Sequence, residues 1–289
     1  MTILAHPPPA PDAALSDSRR RMVRGGLVVV AALLILGAVT GLGFVAFGLS
    51  ALRVSTDTAP LPGDMTALTI DGADAPLAIR IKADKTADGP RVDLRLLGAG
   101  RDDTSRLRVV SDAKGTRVTL DPTPGSFMEW RRAGEVTVTL RPEQARRLSV
   151  TTQQKDGALI VDADLDQLVA RSSDGGVILG GGARRIDVTV TDAEVIALEP
   201  ISVRESFVVN SVDGDVTVAF SDVAPRTIDA TTQDGDITIG LPPGGPYLVN
   251  AQSAGTATVR VPQTSDPARA AATVTASADD GNVVIRTGR

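Results

Sequence analysis

Ser211-Val212-Asp213-Gly214-Asp215-Val216-Thr217-Val218 and Thr232-Gln233-Asp234-Gly235-Asp236-Ile237-Thr238-Ile239 are two copies of one pattern, 21 residues apart. A hydroxyl residue precedes an Asp-Gly pair, and a short alternating strand follows. Glycine supplies a positive φ, and aspartate tolerates the left-handed region while bonding its own backbone, so the pair bends the chain sharply. Beyond the bend, Val216 and Val218 point to one side and Thr217 to the other, the period of a half-buried strand.

The same unit recurs on both sides of these copies. Ala170–Leu179 turns at Asp174-Gly175, and Ala276–Ile285 turns at Asp280-Gly281. Weaker copies lie at Gln153–Val161 around Asp156, Val190–Leu198 around Asp192, and Ala251–Val259 around Ala254. Successive turns at 156, 174, 192, 213, 234, 254 and 280 are 18, 18, 21, 21, 20 and 26 residues apart. A steady period of this length marks a repeat architecture whose units bury their apolar faces by stacking.

These units predict an all-β domain, a β-solenoid resembling a parallel β-helix, with each unit forming one coil. The alternative is an antiparallel meander or sandwich in which each Asp-Gly is a hairpin turn. Stacked coils place the same turn residues in ladders, which explains their repetition; a hairpin sheet has no such need. In this reading Gly214 and Gly235 hold positive φ in one column. Val216, Val218, Ile237 and Ile239 share one core, and Ala272–Arg289 forms the end coil. Residues 65–147 contain Val/Ile/Thr strands in less regular units and join the same sheet system. The segment Arg141–Arg147 is the best helical candidate, with Pro142 suited to a first turn.

Ahead of the repeats the sequence changes character. The 28 residues from Gly25 to Leu52 carry no charge, enough for a helix to cross a hydrocarbon core of about 30 Å. Arg19, Arg20, Arg21 and Arg24 precede this run, which orients its N-terminus to the cytoplasm. A secretory signal has a shorter apolar core and a small-residue cleavage site. The chain therefore divides into a disordered cytoplasmic tail (1–24), a transmembrane helix (25–52) that meets membrane lipid, a linker (53–64), a membrane-proximal β region (65–147) and the repeat region (148–289). The repeats then lie outside the cytoplasm. Pro8 and Pro11 form a P-x-x-P within the tail, read as solvated chain rather than as a docking motif.

Composition excludes several chemistries. The 289 residues contain no cysteine, so disulfides, thiolate metal sites and thiolate catalysis are absent. The one histidine, His6, lies in the tail, which removes a Ser-His-Asp site from the repeat domain. No carboxylate pair stands out as a glycosidase site. The Asp213/Asp215 and Asp234/Asp236 pairs should align on adjacent coils, a possible oxygen cage for calcium. The nonapeptide of calcium-binding solenoids is missing, however, and a structural turn is the favoured reading. Gly180-Gly181-Gly182 reads as a flexible turn, since no phosphate-loop lysine follows. Phe127 and Trp130 read as a loop plug or a contact patch. No catalytic, cofactor-binding or metal-ligating residue is assigned, and the domain reads as a non-enzyme. A net charge of −5 gives no reason to expect nucleic acid.

With its basic flank, single apolar segment and repeated S/T-x-D-G-D-[VI]-x-[VI] units, the chain resembles the bacterial "putative adhesin" family of β-strand-repeat envelope proteins. Ser211–Val218 and Thr232–Ile239 carry the match, with Ser173–Leu179 and Ala278–Ile285 less close. The resemblance implies a single-pass envelope protein with an extracytoplasmic β-solenoid serving as an adhesin-like surface for an envelope protein or glycan. It also implies an alternative role, as an accessory or sensor in envelope-stress signalling. No catalytic residues carry over.

The arginine asymmetry predicts that a reporter active only outside the cytoplasm works when fused after Arg289. Protease added to spheroplasts then leaves a membrane-held N-terminal fragment. A mature chain beginning near Arg53 would contradict this.

Overall fold

Alternating sequence becomes stacked coils because one face of the repeat strands is apolar. The computed structural model describes residues 53–72, 76–98, 106–121 and 133–288. Its N-terminal strands are β1 (Arg53–Pro60), β2 (Ala67–Asp71), β3 (Leu77–Ala83), β4 (Arg91–Gly98), β5 (Arg106–Asp112), β6 (Gly115–Asp121) and β7 (Ala133–Leu140). A single-turn helix, α1 (Pro142–Ala145), follows. The repeats contribute β8 (Ser149–Gln154), β9 (Gly157–Asp162), β10 (Leu165–Gly180), β11 (Gly182–Ala197), β12 (Ser202–Asp213), β13 (Val216–Ala219), β14 (Thr227–Asp234) and β15 (Ile237–Leu241). The last four are β16 (Leu248–Ser253), β17 (Ala257–Arg260), β18 (Thr273–Asp280) and β19 (Val283–Thr287).

Each repeat coil consists of two strand segments joined at the bend, Asp-Gly in most, Asp192-Ala193 in β11 and Ala254-Gly255 between β16 and β17; β10 and β11 run through the bend as single long strands. Neighbouring coils pair in parallel and in register, apart from a shift between β11 and β12 at Ala183–Arg185: Val209 lies beside Ala230, and Val218 beside Ile239. Parallel pairing decides for the solenoid, because hairpins joined by two-residue turns can only be antiparallel. Antiparallel pairs occur where β4 joins β7, β1 joins β4 and β5 joins β6. The core is the thin layer between the two sheets. Ile228, Ala230, Ile237, Ile239, Val216, Val274, Val283 and Ile285 are fully or almost fully buried there. Phe207 and Phe220 meet edge to face, ring centroids 5.2 Å apart.

The stacking order differs from the chain order at both ends. From β8/β9 the coils run in sequence through β10, β11, β12/β13 and β14/β15. The next coil in space is β18/β19, the last in sequence, and β16/β17 stacks outside it. Ala272–Arg289 is therefore an inner coil and Leu248–Arg260 the terminal one, a correction to the sequence-based expectation. The 26-residue final interval accommodates the loop that carries the chain back from β17 to β18. At the other end, β2/β3 lies between β8/β9 and β6/β7. Helix α1 carries the chain past that coil, with Pro142 at its start. The Gln144 amide donates to the Pro62 carbonyl at 3.0 Å, and Arg141 Nε donates to the Ala87 carbonyl at 3.1 Å.

Two other expectations change. Residues 53–60, read as part of a linker, form β1, an edge strand held by antiparallel backbone pairing along its whole length with β4. Gly180-Gly181-Gly182 is a close-packed corner rather than a flexible turn. Gly181 has φ +71°, and side chains at 181 or 182 would meet the Ala163 and Ser202 carbonyls within 3 Å. Tail 1–24 and apolar segment 25–52 lie outside the described residues, as do Phe127 and Trp130. No helix among the described residues is long and apolar enough to cross a membrane.

At Gly235, φ is +145° and an added Cβ would stand 2.5 Å from the Gly214 carbonyl oxygen. Gly235→Val should cost at least about 1–3 kcal/mol from backbone strain alone, measured by denaturant unfolding. Deleting Ala272–Arg289 should accelerate amide exchange in both 227–241 and 248–260, because each loses its neighbour. Faster exchange in neither would contradict the stacking order.

Candidate interaction face

The turn edge is built by the repeated polar residues. The Ser172 hydroxyl donates to the Asp174 carbonyl at 3.2 Å, and Thr232 Oγ1 lies 3.3 Å from both the Asp234 and Gly214 carbonyls. These buried hydroxyls bridge the bend from inside, which explains a Ser or Thr two residues before Asp. Ser211 occupies the same column, between Val190 and Thr232. Its buried hydroxyl has no hydrogen-bond partner among the described residues.

Outside the bend run two carboxylate columns. Register aligns Asp174, Asp192, Asp213, Asp234 and Asp280 along the stack, all exposed. The second column is formed by the residue after the glycine. Asp215 Oδ1 accepts the Asp236 backbone N–H at 2.7 Å, and Asp236 Oδ1 accepts the Asn282 backbone N–H at 2.8 Å. Asn282 Oδ1 in turn accepts from the Thr256 N–H at 3.1 Å. Each side chain thus caps the turn of the next coil, following spatial rather than sequence order. Asn282 also donates its amide to Asp236 at 3.0 Å, which a third carboxylate could not do. Burial pushes the Asp215 carboxyl above its ordinary range; the Asp236 N–H opposes the rise, and the charges of Asp236 and Asp213 add to it. Glu194 is raised by burial and then by the Asp215 charge.

The sequence-derived alignment of Asp213/Asp215 with Asp234/Asp236 holds. Their carboxylates act as backbone caps, a role the Asp-Gly turn reading did not include. Asp215, Asp236 and Asn282 at equivalent positions are the signal that could have revealed it. Among the described residues no group of three or more acidic or histidine side chains is placed to hold a metal ion.

A second cross-coil tie was not legible in the repeats. Arg184 on β11 makes a two-pronged ion pair with Asp166 on β10, at 2.8 and 2.9 Å, and donates to Glu205 on β12 at 3.0 Å. The Arg184 hydrogen bond holds the Asp166 carboxyl below its usual range.

The outer face of the first-strand sheet carries a regular polar array. Arg171, Thr189, Asn210, Thr231, Ser277 and Gln252 form one column across six consecutive coils. Thr231 donates its hydroxyl to the Asn210 side-chain oxygen at 2.9 Å. Between this column and the turn edge lies an open groove of about 390 Å³, lined by Thr189, Asn210, Val212, Thr231, Gln233 and Ser277 among others. Its hydroxyl and amide groups repeat at the strand spacing, about 4.8 Å.

A stack of parallel two-strand coils with ladder-forming turns defines the class: a β-solenoid-like repeat domain. The Toastrack DUF4097 family model matches residues 132–286, and the chain belongs to that family. Similar solved structures include a "putative adhesin" from Bacteroides fragilis NCTC 9343, 12% identical with TM-score 0.41, covering 82% of this chain and 97% of that one. A "putative adhesin" from Parabacteroides merdae ATCC 43184 is 11% identical with TM-score 0.40, covering 84% and 98%. A "putative cell adhesion protein" from Clostridium sporogenes ATCC 15579 is 10% identical with TM-score 0.35, covering 82% and 100%. No curated protein matches the chain in sequence.

Because the Asp215 carboxyl is raised in the folded state, its ionised form costs stability. That cost is absent below the unfolded value near 3.8 and fully present above the raised folded value. Asp215→Asn keeps the acceptor for the Asp236 N–H and should raise the thermal midpoint at pH 7. The gain should vanish as pH falls through the carboxylate range. A midpoint lowered by Asp215→Asn at pH 7 would contradict this balance.

Proposed function

We propose that this chain is a membrane-anchored cell-envelope protein whose repeat domain is an adhesin-like binding surface, acting by contact rather than catalysis. The uncharged run Gly25–Leu52 behind four arginines supports the anchor. The observation that carries the binding role is the polar column Thr189, Asn210, Thr231 and Ser277 beside its groove. Hydroxyl and amide groups presented at one interval along a rigid sheet suit an extended partner that offers hydrogen-bonding groups along its length. A glycan strand of the envelope has that chemistry. Val212, 42% exposed beside the groove, adds an apolar surface for sugar C–H groups.

The test is co-sedimentation of the detergent-solubilised full chain with purified cell-wall sacculi. Binding should fall at least tenfold in Asn210→Lys and Thr231→Lys, whose altered side chains point away from the core, with an unchanged thermal midpoint. Binding that ignores both substitutions, or no binding at all, would reject the glycan-binding face.

A further inference from the structure

The two ends of the stack are finished differently. At one end the outermost strands are β1 and β5, antiparallel additions that carry Asp57, Pro60, Arg108 and Asp112. Asp57 even accepts the Leu107 backbone N–H at 3.1 Å, tying the two edges together. Charges, proline and a cross-tie are the devices by which proteins blunt a sheet edge. At the other end the outermost strands are β16 and β17. The six residues of β16, Leu248-Val249-Asn250-Ala251-Gln252-Ser253, include no charge and no proline. Its pairing with β18 shows no register shift.

The backbone atoms at this end are open. Leu248 N–H bonds to the Ala272 carbonyl, so alternation turns the backbone N–H and C=O groups of Asn250 and Gln252 toward β18 and leaves those of Val249 and Ala251 facing out. Among the described residues the chain covers the outer edge at Tyr247, which pairs with residues 262–264, and the Pro246 carbonyl beside it accepts the Ala271 N–H. β17 is open likewise at Ala257 and Val259. The side chains of Val249, Ala251, Val259 and Val261 pack on the core yet remain partly exposed. Among the described residues the apolar layer therefore continues to the end of the stack without a lid.

We propose that this end is a docking edge for a second copy of the same chain, paired β16 to β16 and β17 to β17 about a two-fold axis. The occupant must present two parallel sheet edges at the separation of the two sheets, with an apolar layer between them. A second copy's open end does so, and a two-fold axis perpendicular to both sheets pairs both strands antiparallel at once. An axis through Ala251 keeps the side-chain parity, so Val249 and Ala251 continue the core while Asn250 of one copy faces Gln252 of the other. No like charges meet along β16. Pairing with the β1/β5 end of another copy instead would be open-ended, and the charges and proline there oppose it. The proposal rests on the backbone edges of β16 and β17, whereas the residues that carry the glycan-binding reading, Thr189, Asn210, Thr231 and Ser277, lie on inner coils.

The chain has no cysteine, so a single thiol reports contact cleanly. Asn250→Cys in the detergent-solubilised full chain should give a covalent dimer with a short bismaleimide, whereas Val110→Cys on β5 should not. Light scattering should show a dimer. Adding Ala251→Pro, which removes an outward N–H but no ladder bond to β18, should reduce cross-linking at least tenfold. The double variant Asn250→Lys/Gln252→Lys, altering two exposed side chains, should make the protein monomeric with its melting midpoint unchanged. A monomer at all concentrations, a dimer that does not cross-link at position 250, or a dimer indifferent to the lysine pair would overturn the proposal.

Discussion

Backbone-to-backbone approach between successive coils is the constraint on which this structure depends. Coils separated by one strand spacing, about 4.8 Å, leave no space at the bend for a side chain. A Cβ at Gly175 would lie 1.8 Å from the Gly157 carbonyl oxygen, and one at Gly281 would lie 1.9 Å from that of Gly235. Glycine in the column is therefore required twice, by positive φ and by contact with the coil beneath. Position 193 is the exception: alanine stands in the column beside Gly175, and its φ is not positive as the column glycines' are.

Register through the bends makes each position there answer to its equivalents above and below. Apolar positions gain, since Val216, Ile237 and Val283 stack into one fully buried column. Acidic positions lose, since the same alignment brings carboxylates together. The fold meets that cost in two ways. Asp174, Asp192, Asp213, Asp234 and Asp280 remain in solvent, where repulsion is weak. Asp215 and Asp236 instead accept backbone N–H groups of the next coil, and Asn282 ends the acidic run with a side chain that both donates and accepts. Arg184 provides the opposite case, one cation spanning acids on the coils before and after it.

The stack ends repeat one device. At each end a coil distant in sequence is inserted beneath the outermost coil, so the chain crosses its own terminal layer before closing it. Asp236 and Asn282, 46 residues apart, are joined in this way. A coil held between two others cannot fray alone, which stabilises the ends of an otherwise nearest-neighbour structure. The same arrangement leaves β16 and β17, rather than the C-terminal strands, as the open edge.

Much of this protein was legible in its sequence. The Asp-Gly bends, the alternation of Val216-Thr217-Val218 and the steady interval between turns determine coils, their inward residues and the glycine column, because these follow from local geometry and side-chain period. The uncharged run 25–52 and its arginine flank give the expectation of an anchor from composition alone. Stacking order was not legible, since coils with equivalent edges can pair in more than one order and only the loops and helix α1 select among them. The same holds for β1 in the segment read as linker, for the packed corner at Gly181 and for the capping roles of Asp215 and Asp236. Each depends on an atom contributed by a different coil, and no local pattern records which coil that is.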